Sequence, residues 1–154
     1  MSHEARLAPI LDELPPAPDA IGLYRPTLVS GGLLYTSGHL PVLPEGGLAT
    51  GCLGDDLTVE QGAEAARRVG LAMLASLRKE LGSLDNIDRL VKTFGAVRCT
   101  ADFTDQPAVI NGFSQLMKEV FGDEAGVGAR TALGASSLPA GVPVEVEAVF
   151  SLRA

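Results

Sequence analysis

Apolar residues recur at steps of three and four along a long segment that begins near Thr58. Thr58 and Gln61 fit a capping box, in which the two side chains satisfy free backbone donors at a helix N-terminus. Gly82 follows the last apolar position, and glycine commonly ends a helix. The spacing predicts an amphipathic helix whose apolar face is formed by Val59, Ala63, Ala66, Gly70, Met73, Leu74, Leu77 and Leu81.

A second helical pattern starts near Asp105 or Gln106, with Pro107 in its first turn. Gly122 is expected to stop this helix. Its inward side is formed by Val109, Ile110, Phe113, Leu116, Met117, Val120 and Phe121. A shorter apolar pattern over residues 4–14 predicts an N-terminal helix that ends at two consecutive prolines.

Short apolar runs predict strands between and after the helices. Two of these runs flank Gly31 and Gly32, and paired glycines supply the positive φ that a tight hairpin turn needs. Strands are predicted over residues 27–29, 33–37, 90–99, 128–136 and 142–152. The coarse element order is therefore α-β-β-α-β-α-β-β.

The last predicted strand indicates how the helices and the sheet pack. Its apolar set alternates with a mixed set, the two being Val144, Val146, Ala148 and Phe150 against Glu145, Glu147, Val149 and Ser151. Two amphipathic helices can cover one face of such a sheet, which predicts an α+β fold. The other face is semi-apolar, and a small domain usually hides such a face against another subunit. We therefore expect an oligomer with clefts where the sheets meet.

Composition narrows the classes of function. The chain has 154 residues, of which 46% are hydrophobic and 20% charged, and its formal net charge is −7. This length suits one domain with its own core. We divide it into an N-terminal helical extension over residues 1–17 and a single domain over residues 18–154. The negative charge, with no cluster of lysine and arginine to offset it, disfavours nucleic acid as a partner.

Cysteine and histidine usage indicates neither a disulfide framework nor a metal site. Cys52 and Cys99 are far apart and form no metal or redox motif, and His3 and His39 are too scattered for zinc. The N-terminus is polar and acidic, unlike a secretory signal, and no stretch is apolar enough to span a bilayer. A cytoplasmic protein without a metal and without membrane contact is expected.

Arg130 is the main candidate for ligand binding. It lies among small and apolar residues on one predicted strand, and burying a guanidinium without an anionic partner is costly. Glu145 or Glu147 on the next predicted strand is one possible partner. The alternative partner is a small carboxylate ligand, which leaves one of the two glutamates for proton transfer.

Short segments spread over nearly the whole chain carry a family resemblance. They are residues 20–24, 35–41, 91–93, 102–103, 109–113, 129–131, 138–139 and 144–148. In this order and spacing they resemble the Rid/YjgF family of enamine and imine deaminases, long labelled endoribonuclease L-PSP.

The resemblance implies a chorismate-mutase-like fold with a mixed β-sheet of five to six strands and two helices packed on one face. It also implies a homotrimer with clefts between subunits, and no metal or organic cofactor. Members of this family hydrolyse reactive enamines and imines, such as 2-aminoacrylate, to a 2-keto acid and ammonia. The partner expected from the resemblance is a small carboxylate-bearing imine, enamine or keto acid.

Site residues follow from the same resemblance. The family's carboxylate-binding arginine matches Arg130, and its water-positioning glutamate matches Glu145. The expected substrate-binding positions, besides Arg130, are Tyr24, Ser37, Gly38 and Asn111.

One departure and two alternative functions accompany the resemblance. Ala132 stands where many members carry a cysteine, which removes one ligand-contact site. Glu147 lies two residues beyond Glu145 on the same side of the strand and is the rival base. A non-catalytic trimeric sensor of 2-keto acids is the alternative function, because it needs the arginine but no base. An endoribonuclease is less favoured, because the chain is acidic.

Overall fold

Five strands form one mixed sheet, and two long helices pack on one of its faces. The computed structural model describes residues 1–154. Its helices and strands are α1 (His3–Leu7), β1 (Thr27–Ser30), β2 (Leu33–Thr36), α2 (Val59–Leu81), β3 (Ile87–Arg98), α3 (Gln106–Gly126), β4 (Ala129–Ala135) and β5 (Val144–Leu152). The strand order is β1-β2-β5-β3-β4, with β3 and β4 parallel and the other neighbouring pairs antiparallel. This architecture confirms the predicted α+β fold.

Both ends of α2 agree with the predicted helix. Thr58 Oγ1 accepts a hydrogen bond from the Gln61 backbone N–H at 3.2 Å, and Gln61 Oε1 accepts one from the Thr58 N–H at 2.8 Å. This reciprocal pair is the capping box. At the other end Gly82 adopts a left-handed conformation with φ of 75°, which a side chain would oppose.

Gly122 breaks α3 at the position where the helix was expected to stop. Gly122 does leave helical geometry, with φ of 86° and ψ of 174°, but the chain turns helically again and the element runs to Gly126. Gly122 thus separates the main helix from a short helical stretch that follows it. No helix of the chain combines the length and the apolar character that crossing a bilayer requires.

The N-terminal segment is more broken than its apolar pattern indicates. The α-helix covers only His3–Leu7, and a 3-10 helix continues over Ala8–Glu13. Pro9 has no N–H to donate, so an α-helical hydrogen bond is lost at this position. Leu7 and Ile10 are nevertheless buried in the same core as α2 and α3. The division of the chain at residue 17 stays a prediction.

The strands agree with the predicted runs apart from their ends. The hairpin between β1 and β2 turns at Gly31 and Gly32, whose φ angles are 59° and 77°. The third strand begins at Ile87 rather than at residue 90, and its pairing with β5 contains two irregularities near that end. These irregularities explain why the sequence pattern missed the first three residues of the strand, because each one breaks the alternation of apolar and polar positions.

The two faces of the sheet differ in what covers them. Thr93 and Val97 in β3 and Val146 in β5 are buried under the helices. Tyr35 and Phe94 point to the opposite face, where their exposed fractions are 42% and 36%. An uncovered face with aromatic residues is a typical subunit contact surface. The homotrimer itself stays a prediction.

Candidate functional site

Arg130 lies on the edge strand β4, and its side chain turns toward α3. Its Nη1 donates to Asn111 Oδ1 at 2.7 Å and to Ser114 Oγ at 3.2 Å, and its Nη2 donates to the carbonyl oxygen of Pro107 at 3.4 Å. All three acceptors belong to the first half of α3. The helix therefore fixes the direction in which the guanidinium points.

No carboxylate neutralises the charge of Arg130. The salt bridges of the chain involve other residues, so the pairing with Glu145 or Glu147 that the sequence left open does not form within the chain. A guanidinium has five N–H donors, and the three hydrogen bonds to neutral acceptors leave Nε–H and one Nη2–H without a protein partner. An Nε–H and an Nη2–H of one guanidinium can together donate two parallel hydrogen bonds to a carboxylate.

Glu145 lies half-buried on β5, and its side chain passes over Gly38. A Cβ added at Gly38 would lie 2.9 Å from Cδ and 3.0 Å from Cγ of Glu145, and closer still to Oε1, so the carboxyl group would have to shift. Burial raises the pKa of the Glu145 carboxyl, and the neighbouring Glu147 carboxylate raises it further. A raised pKa makes the Glu145 carboxylate a better proton acceptor.

The two glutamates open into one pocket with a volume of about 250 Å³. Gly38, Phe94 and Ala96 form the rest of its wall. Glu147 is exposed whereas Glu145 is half-buried, so the two carboxylates differ in environment although they lie on the same face. This difference favours Glu145 over Glu147 as the proton acceptor.

Residues 37–39 are held by hydrogen bonds on both sides of Gly38. Ser37 Oγ donates to the carbonyl oxygen of Arg25 at 2.6 Å, so this hydroxyl is engaged in structure. His39 Nδ1 donates to the Ser37 carbonyl oxygen at 2.8 Å, which leaves Nε2 to accept from Ser76 Oγ at 2.8 Å. Backbone hydrogen bonds also join His39 to Val146 in both directions, next to Glu145. Gly38 is therefore fixed against the strand that carries Glu145.

Tyr24 lines a second pocket, which has a volume of about 140 Å³. Its exposed fraction is 44%, and its hydroxyl oxygen accepts a hydrogen bond from the Ile21 N–H at 3.2 Å. Ser37 and Gly38 line the same pocket. The structure thus brings Tyr24, Ser37, Gly38 and Glu145 together, and it places Asn111 beside Arg130.

The two groups lie on opposite faces of the sheet. Arg130 pairs with Thr93 on β3, and Glu145 pairs with Ala96 on the same strand. Side chains of paired residues share a face, and Thr93 and Ala96 are an odd number of positions apart, so they point to opposite faces. Within one chain, Arg130 and Glu145 therefore cannot contact the same small ligand.

Sequence reasoning missed two groups that orient Arg130, the Ser114 hydroxyl and the Pro107 carbonyl. One signal was available, because Asn111 and Ser114 are three residues apart on a predicted helix and so share a face. No sequence signal identified the carbonyl, since every residue has one. The hydrogen bond from Ser76 to His39 was missed as well, because it joins a helix to a strand end far away in the sequence.

Comparisons with known proteins agree with this fold over nearly the full chain. A model of the family described as YjgF/chorismate_mutase-like, putative endoribonuclease, matches residues 4–145. Protein TCP17 of Trypanosoma cruzi is 41% identical over 141 residues, which cover 92% of this chain and 88% of that protein. The crystal structure of a putative endoribonuclease from Shewanella oneidensis is 32% identical, with a TM-score of 0.92, and the match covers 99% of this chain and 100% of that one.

RidA from an Antarctic Psychrobacter has a similar crystal structure. It is 25% identical, with a TM-score of 0.62, and the match covers 88% of this chain and 94% of that one. Together with the family match, this likeness confirms the Rid/YjgF resemblance. The chain therefore belongs to the YjgF/chorismate-mutase-like family.

Proposed function

We propose that this protein is a hydrolytic deaminase of reactive 2-imino acids and their enamine tautomers, working as a homotrimer without a metal or organic cofactor. The products are a 2-keto acid and ammonia. The observation that carries the proposal is a guanidinium, Arg130, that neutral groups hold in place and no carboxylate neutralises.

Arg130 is proposed to bind the substrate carboxylate. Its free Nε–H and Nη2–H match the two oxygens of a carboxylate in geometry and in charge. Asn111 and Ser114 hold the other side of the guanidinium, so little side-chain freedom is lost when the ligand binds. Asn111 is accordingly assigned to substrate binding through its contact with Arg130.

Glu145 is proposed to handle the protons of the reaction. Its carboxylate takes a proton from water while the water oxygen bonds to C2 of the imine, and Glu145 then passes this proton to the imine nitrogen. The C–N bond of the resulting carbinolamine then breaks as Glu145 moves the hydroxyl proton to the nitrogen, so the C=O forms and ammonia leaves. The raised pKa of Glu145 supports this double role, because an acid–base catalyst works best when its pKa approaches the working pH.

The two halves of the site are proposed to come from neighbouring protomers. Arg130 and Glu145 face opposite sides of one sheet, so a ligand that touches both must lie between two chains. The uncovered face that carries Glu145 also exposes Tyr35 and Phe94, which suits a subunit contact. Tyr24, Ser37 and Gly38 are assigned to the Glu145 side of the cleft.

Imines generated in situ from an amino acid by an amino acid oxidase provide the activity test. Wild-type protein is expected to release keto acid faster than the spontaneous reaction, and Arg130→Ala and Glu145→Gln are expected to lose this acceleration. Arg89→Ala and Glu60→Gln are the matched controls, because Arg89 donates to the carbonyl of Glu124 and Glu60 lies exposed in the first turn of α2. Equal rates for wild type and Arg130→Ala would rule out the proposal.

Mixing the two inactive variants tests the shared cleft. After dissociation and reassembly of an equal mixture, a random trimer restores about one site in four, in which one chain supplies Arg130 and its neighbour supplies Glu145. Mixing Arg130→Ala with the double variant restores none. Absence of recovery in the first mixture, with trimers reassembled, would mean that one chain holds the complete site.

The same variants distinguish two other functions from the proposed deaminase. A sensor of 2-keto acids needs Arg130 but not Glu145. It therefore predicts that wild type and Glu145→Gln bind a keto acid and that neither shows turnover. An endoribonuclease, which the family description names, predicts RNA cleavage that is lost in Arg130→Ala. The net charge of −7 weighs against this second alternative, because binding to a phosphate backbone depends on cations.

A further inference from the structure

The pocket behind Tyr24 has apolar walls. Its volume is about 140 Å³, and its hydrophobic lining residues are Ile21, Tyr24, Leu40, Val42 and Leu48. It shares Gly38 with the pocket that contains Glu145. A ligand held at Glu145 therefore has an apolar space next to it.

Nothing in the walls of this pocket attracts an anion. No lysine or arginine lines it, and the one acidic residue, Asp19, has an almost fully exposed side chain that faces Lys79 at 3.7 Å. The ring of His39 also lines the pocket, but both of its nitrogens are engaged with Ser37 and Ser76. Burial lowers the pKa of His39, so its ring stays neutral near pH 7. The occupant that fits is uncharged and apolar.

Size sets a further limit on that occupant. An engineered apolar cavity of about 150 Å³ in another protein holds one benzene molecule. The pocket behind Tyr24 has nearly the same volume, so it accommodates a phenyl ring or a branched chain of four carbons. A methyl group would leave most of it empty.

The substituents of the substrate determine which one enters the pocket. C2 of a 2-imino acid carries a carboxylate, the imine nitrogen and the side chain. Under the proposed function the carboxylate meets Arg130 of a neighbouring protomer and the nitrogen leaves by way of Glu145. Only the side chain remains for the apolar space beside Gly38.

We propose that the pocket lined by Val42 and Leu48 selects imino acids with branched aliphatic or phenyl side chains, as derived from leucine or phenylalanine, over the alanine-derived imine. This inference rests on the proposed deaminase function. Each methylene that leaves water for an apolar site favours binding of the transition state about fourfold. The leucine-derived imine has three more carbons than the alanine-derived one, so its kcat/KM is expected to be on the order of 50-fold higher.

The test measures kcat/KM for imines generated from alanine, valine, leucine and phenylalanine, each corrected for spontaneous hydrolysis. A rise from alanine to leucine supports the inference. Equal values, or a fall, overturn the side-chain pocket and leave the deaminase function intact. Absence of acceleration with every imine overturns both.

A variant that fills the pocket tests whether the side-chain selectivity arises there. Val42→Phe adds a ring inside the pocket, whereas Leu43→Phe, the next residue of the same loop, is the matched control because Leu43 does not line the pocket. The ratio of leucine to alanine kcat/KM is expected to fall at least tenfold in Val42→Phe and to stay unchanged in Leu43→Phe. An unchanged ratio in Val42→Phe, with native-like circular dichroism, would place the selectivity elsewhere and refute the inference.

Discussion

Replacement of Gly38 by alanine is the most direct test of how Glu145 is positioned. The new methyl carbon would lie 2.9 Å from Cδ of Glu145, whereas carbon atoms in favourable contact are about 3.5–4.0 Å apart. The carboxyl group must therefore move by roughly 0.6–1 Å. A displacement of about 1 Å in a catalytic group costs up to about 100-fold in rate. We expect Gly38→Ala to lower kcat by between about 10-fold and 100-fold.

Gly38→Ala is expected to change stability in opposite directions in the wild-type chain and in the Glu145→Ala variant. In the wild-type chain the added methyl crowds Glu145, and such overpacking costs about 1–3 kcal/mol. When Glu145→Ala removes the obstacle, the backbone at Gly38 needs no positive φ. Alanine is then expected to stabilise the fold by about 0.4–1 kcal/mol, because it restricts the unfolded chain. The effect of one methyl group thus changes sign.

The assays are imine hydrolysis and urea unfolding of four proteins, wild type, Gly38→Ala, Glu145→Ala and the double variant. The difference between the two effects of Gly38→Ala is the coupling energy of the pair. Full activity in Gly38→Ala, or the same stability change in both backgrounds, would mean that the Glu145 side chain does not lie over Gly38. Gly38 would then have no part in positioning the Glu145 carboxylate.

Four further outcomes are expected. Arg130→Lys should lose most of the activity, measured as kcat/KM with in-situ imines, because lysine lacks the planar pair of donors. Asn111→Ala should raise KM more than it lowers kcat, because it frees the guanidinium that it holds at 2.7 Å; an unchanged KM would contradict this role. Folding raises the pKa of Glu145, so the protonated carboxyl stabilises the fold, and this stabilisation is lost as pH rises through the folded-state pKa. Glu145→Gln carries no charge at any pH, so it should raise Tm at pH 7. This gain in Tm should vanish in acid, where Glu145 itself is protonated. Thr58→Ala should cost about 1 kcal/mol in urea unfolding, because the capping box is lost, and no change in stability would count against the cap.

Local signals in the sequence predicted the helices well and their tertiary relation poorly. Both ends of α2 were predictable, because Thr58, Gln61 and Gly82 act through their own backbone neighbours. The break at Gly122 was predictable for the same reason, because its positive φ is a local property, whereas no local signal announced the short helical stretch that follows it. The β3 start was missed because irregular pairing hides the alternation.

The candidate site shows the same limit more sharply. The residue types of Arg130 and of the pair Glu145 and Glu147 indicated anion binding and proton transfer without any structure, and the family resemblance assigned the second role to Glu145. Their position on opposite faces depends on the register of β4 and β5 against β3, which no short segment encodes. The sequence therefore indicated the chemistry of each residue, but it did not indicate that the two residues lie on opposite faces of the sheet within one chain.

The order of the strands also has a consequence for biosynthesis. β5 is the last strand in the chain, yet it lies in the centre of the sheet, between β2 and β3. While a ribosome extends the chain, the β1–β2 hairpin and the β3–α3–β4 unit have no shared backbone hydrogen bonds to join them. Nascent chains that stop before Val144 expose two open strand edges, which are prone to aggregation and are targets for chaperones. The sheet can therefore be completed only after β5 has been translated.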